Sequence, residues 1–302
     1  MKSAKKKIWV SGSRGFIGKY LLAELKNYGY DAYGVTNNQV DNKDLIYLNY
    51  SSRSKIKDTI VSYGVPDTFI HLGWGSVYQP ELDVHLGQNV DDAKNLTSVL
   101  FDSGLERFIL LGSSSEYGSQ TGKLSENMPS SGQITNYASG KLSASRFGLN
   151  LAHQLGKAFI HVKLFYTFGA GQRSTSLINQ LYSHAQTGQI MNLSPCLHYR
   201  DYIYISDVIK GLILLSQINE SGVVNLGKGE AIQLRDYVIL FWKHLGRHMD
   251  HLNFGDHRKP QNEPEQPLCY ADLSKLKLWT NWEPTVSIEE GIKKTIVALS
   301  AQ

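Results

Sequence analysis

Apolar residues in the first half of the chain follow two alternating arrangements. Short runs such as Ile8-Trp9-Val10-Ser11 and Thr68-Phe69-Ile70-His71-Leu72 are apolar almost throughout, the mark of strands covered on both faces. Between them lie segments whose leucines recur three or four positions apart, as at Leu21, Leu22 and Leu25, the stripe of an amphipathic helix. The pattern predicts strands over 8–11, 31–35, 45–48, 68–72, 108–111 and 159–164. Helices are expected over about 19–28, 88–103 and 139–155.

Such alternation builds βαβ units, so the expected fold class is α/β, a Rossmann-type doubly wound parallel sheet with a smaller C-terminal domain. After Gly171 the periodicity loosens, and Pro260, Pro264 and Pro267 mark a loop-rich stretch. The expected division is a large domain over 1–165, to which the chain returns over about 201–228, and a smaller domain from 166–200 and 229–302.

Composition narrows the function classes. With 302 residues, 41% hydrophobic and 19% charged, the chain can bury a core. Net charge is only +4, and the basic cluster from Lys2 to Lys7 reads as a solvated terminus, so no nucleic-acid partner is expected. No apolar run approaches the roughly 20 residues of a membrane span. Cys196 and Cys269 are too few for a disulfide framework, and His161, His184, His198, His244, His248 and His251 lack metal-ligand spacing. A cytoplasmic protein without metal is expected. Trp242, Trp279 and Trp282 read as packing anchors.

Chemistry enters at the first strand–helix junction, Gly12-Ser13-Arg14-Gly15-Phe16-Ile17-Gly18. A tight glycine turn there lets backbone N–H groups approach a pyrophosphate at the positive end of a helix. The large domain is therefore expected to bind a dinucleotide. An NAD site usually carries an acid at the end of the second strand; here Thr36, Asn37 and Asn38 follow Val35. Arg14 has the planar fork suited to a 2′-phosphate, so NADP (as NADPH) is favoured over NAD.

Hydroxyls gather after the fifth strand at Ser113, Ser114 and Ser115, and Tyr137 and Lys141 follow at the start of the next helix. Four residues apart, the phenol and the ammonium share a helix face. A nearby cation lowers a phenol's pKa, which makes Tyr137 a usable general acid. With 17 tyrosines in the chain, the spacing alone says little; the order of glycine loop, serine cluster and Y-x-x-x-K is what carries the reading.

These residues together resemble the extended short-chain dehydrogenase/reductase family of NAD-dependent epimerase/dehydratase type, especially its nucleotide-sugar epimerases, dehydratases and ketoreductases. His71-Leu72-Gly73-Trp74 resembles its cofactor-side H-L-A-x segment, and Leu164 to Gly171 the stretch after the sixth strand. Arg200-Asp201-Tyr202-Ile203-Tyr204-Ile205-Ser206-Asp207 resembles R-D-F-I-H-V-x-D, whose arginine holds the substrate diphosphate. The resemblance implies Ser113, Tyr137 and Lys141 as catalytic residues. It places Gly12, Arg14, Gly15, Phe16, Ile17, Gly18, Thr36, Asn37, Asn49, Leu72, Gly73, Tyr137, Lys141 and Leu164 around the cofactor. Ser114, Ser115, Tyr166, Arg200 and Arg258 would face the substrate, a nucleotide-diphosphate sugar.

Departures from the family pattern narrow the reaction. Its 4,6-dehydratases carry Asp-Glu where this chain has Ser114-Ser115. GDP-fucose synthases, which also epimerise, carry a cysteine at the position of Ser115 and a histidine near that of Ser176. What remains is hydride delivery to C4 of a 4-keto-6-deoxy sugar, as in CDP-abequose synthase. A 4-epimerase holding NAD is the alternative, and a non-catalytic dinucleotide sensor a further one. The resemblance also implies a homodimer through the helices following Asn89 and Tyr137.

Overall fold

The computed structural model describes residues 5–38, 45–255 and 268–301; Arg258 and the three clustered prolines lie outside the described residues. The chain begins β1 (Lys7–Ser11), α1 (Phe16–Asn27), β2 (Asp31–Thr36) and β3 (Leu45–Tyr47). Then come α2 (Arg53–Tyr63), β4 (Thr68–His71), α3 (Gln88–Asp102) and β5 (Arg107–Leu111). After β6 (Gly122–Leu124), α4 (Asn136–Leu155) leads into β7 (Ala158–Leu164) and β8 (Tyr166–Phe168). α5 (Leu177–Thr187), β9 (Met191–Leu193), β10 (Tyr199–Arg200) and β11 (Tyr202–Tyr204) precede α6 (Ile205–Leu215) and β12 (Gly222–Leu226). The chain continues with β13 (Ile232–Gln233), α7 (Leu234–His244), β14 (Leu252–Phe254) and β15 (Leu268–Ala271). It finishes with α8 (Ser274–Thr280) and α9 (Ile288–Ser300).

Seven strands form one sheet in the order β12-β7-β5-β4-β1-β2-β3, every neighbour parallel. The pleat assigns alternate residues to opposite faces. Ile8 and Val10 join Leu21 and Leu25 of α1 and Val208 and Leu212 of α6. Trp9, between them, joins Leu96 and Leu100 of α3 and Ala144 and Ala152 of α4 on the other face. Burying one such large apolar side chain stabilises by about 1.5–3 kcal/mol, so the two layers hold the sheet from both sides. Across β4, β5 and β7, Phe69, Phe108 and Phe159 stack at 5.3 and 5.4 Å between ring centroids. The sheet's winding reverses between β1 and β4, which leaves a crevice at their carboxyl ends.

A four-stranded sheet, β13-β10-β15-β6, lies beside the large one. A separate apolar cluster that includes Leu181, Tyr237, Phe241, Trp242 and Ile292 packs α5, α7 and α9 together. Trp242 and Trp282 are buried. No helix among the described residues is long and apolar enough to cross a membrane.

Two helix starts differ from the periodicity. Gly15 N–H bonds Gly12 O at 2.9 Å, so the turn closes early and α1 starts at Phe16. Thr135 Oγ1 accepts from Ala138 N–H at 3.2 Å, a cap that starts α4 at Asn136 and puts Tyr137 in its first turn. α2 buries only Ile56; with so thin a stripe it has no readable periodicity.

Candidate active site

The glycine loop is shaped by contact with the segment after β4. Gly12 has φ +68°, and a Cβ there would come within 2.7 Å of Gly73 N. A Cβ on Gly18 would meet Gly12 O at 2.2 Å, so α1 approaches the loop as only glycine permits. Ser11 Oγ accepts from Gly73 N–H at 3.1 Å and lies 2.7 Å from His71 Nδ1. Burial, with the Lys141 charge adding to it, pushes the His71 pKa down to about 3; the ring is neutral. The N-terminus of α1 has no side-chain cap and no acid in its first turn. Free N–H groups and the helix dipole fit a diphosphate there.

Two cavities flank this loop. One, of about 280 Å³, is lined by Arg14, Val35, Thr36, Asn37, Tyr50, His71 and Asp92 among others. Arg14 is exposed at its rim. Asn49 is not among the lining residues: its Oδ1 accepts from Ser51 N–H, and the neighbouring Tyr50 forms the wall. The second, of about 540 Å³, runs past Gly15, Phe16, Ile17, Leu72, Gly73 and Leu164 to Ser113, Tyr137 and Lys141. The structure thus brings the predicted serine, tyrosine and lysine into one cavity with the glycine loop. Among the described residues no cluster of three His, Cys, Asp or Glu is placed to hold a metal.

Ser113 Oγ accepts from Ser115 N–H at 3.1 Å and from Ser115 Oγ–H at 2.9 Å. Both lone pairs are then used, and its own proton is left to donate. Tyr137 N–H bonds Pro80 O at 2.8 Å, and its ring meets His85 edge-on at 5.4 Å. Burial, aided by the Glu116 charge, pushes the phenol's pKa upward, and a hydrogen bond from Ser113 opposes this. The expectation of a phenol lowered by its lysine is not what the geometry favours. Lys141 Nζ donates to Leu111 O at 2.6 Å and lies 4.0 Å from the centre of the Trp74 ring, but 5.9 Å from that of Tyr137. Burial pushes the ammonium down to about 7, with Glu116 opposing the fall.

The predicted substrate contacts sit elsewhere. Ser114 is buried, Ser115 serves Ser113, and neither they nor Tyr166 and Arg200 line the two cavities. Arg200 is 1% exposed; its Nε donates to Tyr166 Oη at 3.1 Å and its Nη1 to Tyr199 O at 2.9 Å. The two acids of that segment are structural. Asp201 accepts from the backbone N–H groups of Lys228, Gly229 and Ala271, and Asp207 from those of Thr285 and Val286.

Three further buried groups stand in or behind the cleft. His85 is fully buried, accepts from Trp74 Nε1–H at 3.0 Å and so anchors the indole that covers Lys141. Glu116 and His161 form a buried pair, Nε2 to Oε2 2.7 Å. Lys163 lies 3.8 Å from the centre of the Tyr117 ring. The available signal was ionisable residues at 161 and 163, two apart in a strand otherwise wholly apolar.

Known proteins resemble this chain along nearly its whole length. Residues 8–227 match the NAD dependent epimerase/dehydratase family. A UDP-glucuronate 4-epimerase from Thermodesulfobacterium geofontis is 26% identical over 95% of this chain and 94% of its own. A dTDP-4-dehydro-6-deoxyglucose reductase from Escherichia coli is 23% identical over 99% of both. Among solved structures, RMD from Pseudomonas aeruginosa complexed with NADPH superposes with a TM-score of 0.81 at 21% identity, over 99% of this chain and 100% of the other.

Proposed function

The chain belongs to the NAD dependent epimerase/dehydratase family, and from that membership we propose that it reduces a nucleotide-diphosphate 4-keto-6-deoxy sugar at C4 with NADPH. The observation that carries the reading is the state of the two hydroxyls. Ser113 has only its proton to give, and Tyr137, its pKa held up by burial, stays protonated at neutral pH. Two donors beside one another suit a carbonyl that becomes an alcohol. The absence of an acid pair at Ser114-Ser115 weighs against elimination of water.

Arg14 and the neutral Thr36 and Asn37 favour a cofactor with a 2′-phosphate. The uncapped start of α1 and Gly12, Gly15 and Gly18 would hold the diphosphate, with Lys141 on the ribose near the nicotinamide. When bound, the cofactor supplies the hydride. Tyr137 gives its proton to the oxygen on which charge develops, and Ser113 hydrogen-bonds the same oxygen. Because that charge exists only in the transition state, prepositioned donors lower the barrier rather than tighten ground-state binding. The sugar nucleotide would enter from the smaller domain's side, where the buried Arg200 could reach it only by giving up its bonds to Tyr166 and Tyr199, and α3 with α4 would pair two copies as a homodimer.

The relative from Thermodesulfobacterium geofontis favours a second reading, a 4-epimerase with retained NAD. Incubation with NADPH and a panel of nucleotide 4-keto-6-deoxy sugars, followed by absorbance of the reduced cofactor, tests the first. Stoichiometric consumption is expected. Inversion at C4 of UDP-glucuronate or UDP-glucose without added cofactor, and no consumption of NADPH, would overturn it in favour of the second.

A further inference from the structure

Lys141 presents a problem of physical chemistry that the residues lining the cavity do not solve. It is 2% exposed, and among the described residues no carboxylate lies within ion-pair distance of it. Its surroundings are Leu111 O on β5, the Trp74 ring, Tyr137 on its own helix and the neutral His71 on β4. A desolvated ammonium so placed tends to shed its proton, and then loses its hold on a ribose.

The compensating charge lies behind the strand end. Glu116 is fully buried, in the short turn that follows β5. Its Oε1 accepts from Ser113 N–H at 2.8 Å and its Oε2 from His161 Nε2–H at 2.7 Å. His161 Nδ1 meets no partner, so a neutral ring with its hydrogen on Nε2, facing the carboxylate, is the arrangement that leaves no buried N–H unpaired. Gly112 makes the room: a Cβ there would fall within 2.4 Å of both Glu116 Oε1 and His161 Cε1. Lys141 Nζ and Glu116 Oε1 are therefore tied to the two sides of a single residue, through Leu111 O and Ser113 N. Adding the two bonds of 2.6 and 2.8 Å to that backbone span puts them no more than about 10 Å apart. Lys163 of β7, Tyr117 of the same turn and Glu126 after β6 also act in this buried field.

We propose that Glu116 is the buried counter-charge of Lys141, a positioning residue that keeps the ammonium protonated in the dry cleft while His161 holds the carboxylate in place. The inference rests on the reading that Lys141 grips the cofactor. At such a separation and an effective dielectric constant of about 20, one unit charge shifts the other's titration by roughly one pH unit. Glu116 favours the protonated ammonium, so its removal lowers the Lys141 pKa below about 7.

The test is NADH affinity from pH 5 to 9, read by fluorescence titration, a measurement that needs no substrate. NADH lacks the 2′-phosphate and so does not itself titrate there. In the wild type, affinity is expected to fall as pH rises through the Lys141 transition. In E116Q the fall should begin roughly one unit lower, and in H161Q, which keeps a donor to the carboxylate, it should stay with the wild type. Circular dichroism and Tm check the fold; if E116Q does not fold, E116Q/H161Q, whose two amides can bond one another, replaces it. A neutral variant with folded structure and an unmoved pH break overturns the inference. Absence of binding of both NADH and NADPH by the wild type at every pH overturns the cofactor reading and the inference with it.

Discussion

Tyr137→Phe isolates the proposed proton donor from everything else the side chain does. The ring keeps its edge-on contacts with His85 at 5.4 Å and Trp74 at 6.5 Å, and the backbone keeps its bond to Pro80 O. What disappears is one hydroxyl and its bond with Ser113. A neutral hydrogen bond is worth about 0.5–1.5 kcal/mol net, and burial of the phenol costs something in return, so Tm should move by no more than a few degrees. NADPH affinity should hold, since Lys141 and the glycine loop are untouched. Turnover should fall by about 10²–10⁴, equivalent to roughly 2.7–5.5 kcal/mol in the barrier. Single-turnover absorbance of the reduced cofactor, with a nucleotide 4-keto-6-deoxy sugar in excess, measures this directly. The pH dependence has a sign: a donor acts while protonated, and burial raises the Tyr137 pKa above 10. In the wild type this group therefore leaves the rate flat through neutral pH and lowers it only on the alkaline side, a limb the phenylalanine variant should lack. A variant that reduced substrate at near wild-type rate would refute the assignment, because the proton would have to come from elsewhere.

Arg14→Ala should remove most of any preference for NADPH over NADH; a charge-assisted phosphate contact is worth roughly tenfold to a hundredfold in affinity, and equal binding of both cofactors by the wild type would rule out the role. Ser115→Ala takes one donor from Ser113 Oγ and frees that hydroxyl to rotate, so kcat should fall roughly 3- to 10-fold with cofactor affinity unchanged; steady-state kinetics that showed only a KM effect would return Ser115 to substrate contact. Light scattering at micromolar concentration should give the mass of two chains, and a monomer would reject the homodimer.

The parts of this protein legible in the sequence are those encoded within a few residues. An all-apolar strand, a leucine every third or fourth position, a glycine triplet at a strand–helix junction and a tyrosine four residues before a lysine each state their geometry locally. They suffice to expect a parallel sheet and to bring Ser113, Tyr137 and Lys141 to one cleft. Even there the caps decided the detail, since Thr135 starts α4 ahead of its periodic stripe. What only the tertiary structure decided depends on residues far apart in the chain. Glu116 and His161 are 45 positions apart and meet because β5 and β7 are neighbours in the sheet. Tyr50, not Asn49, faces the cavity because Asn49 bonds locally to Ser51. The protonation of the cleft belongs to the same class: spacing places a cation near a phenol, but desolvation, which needs the packed surroundings to exist, sets the pKa of each.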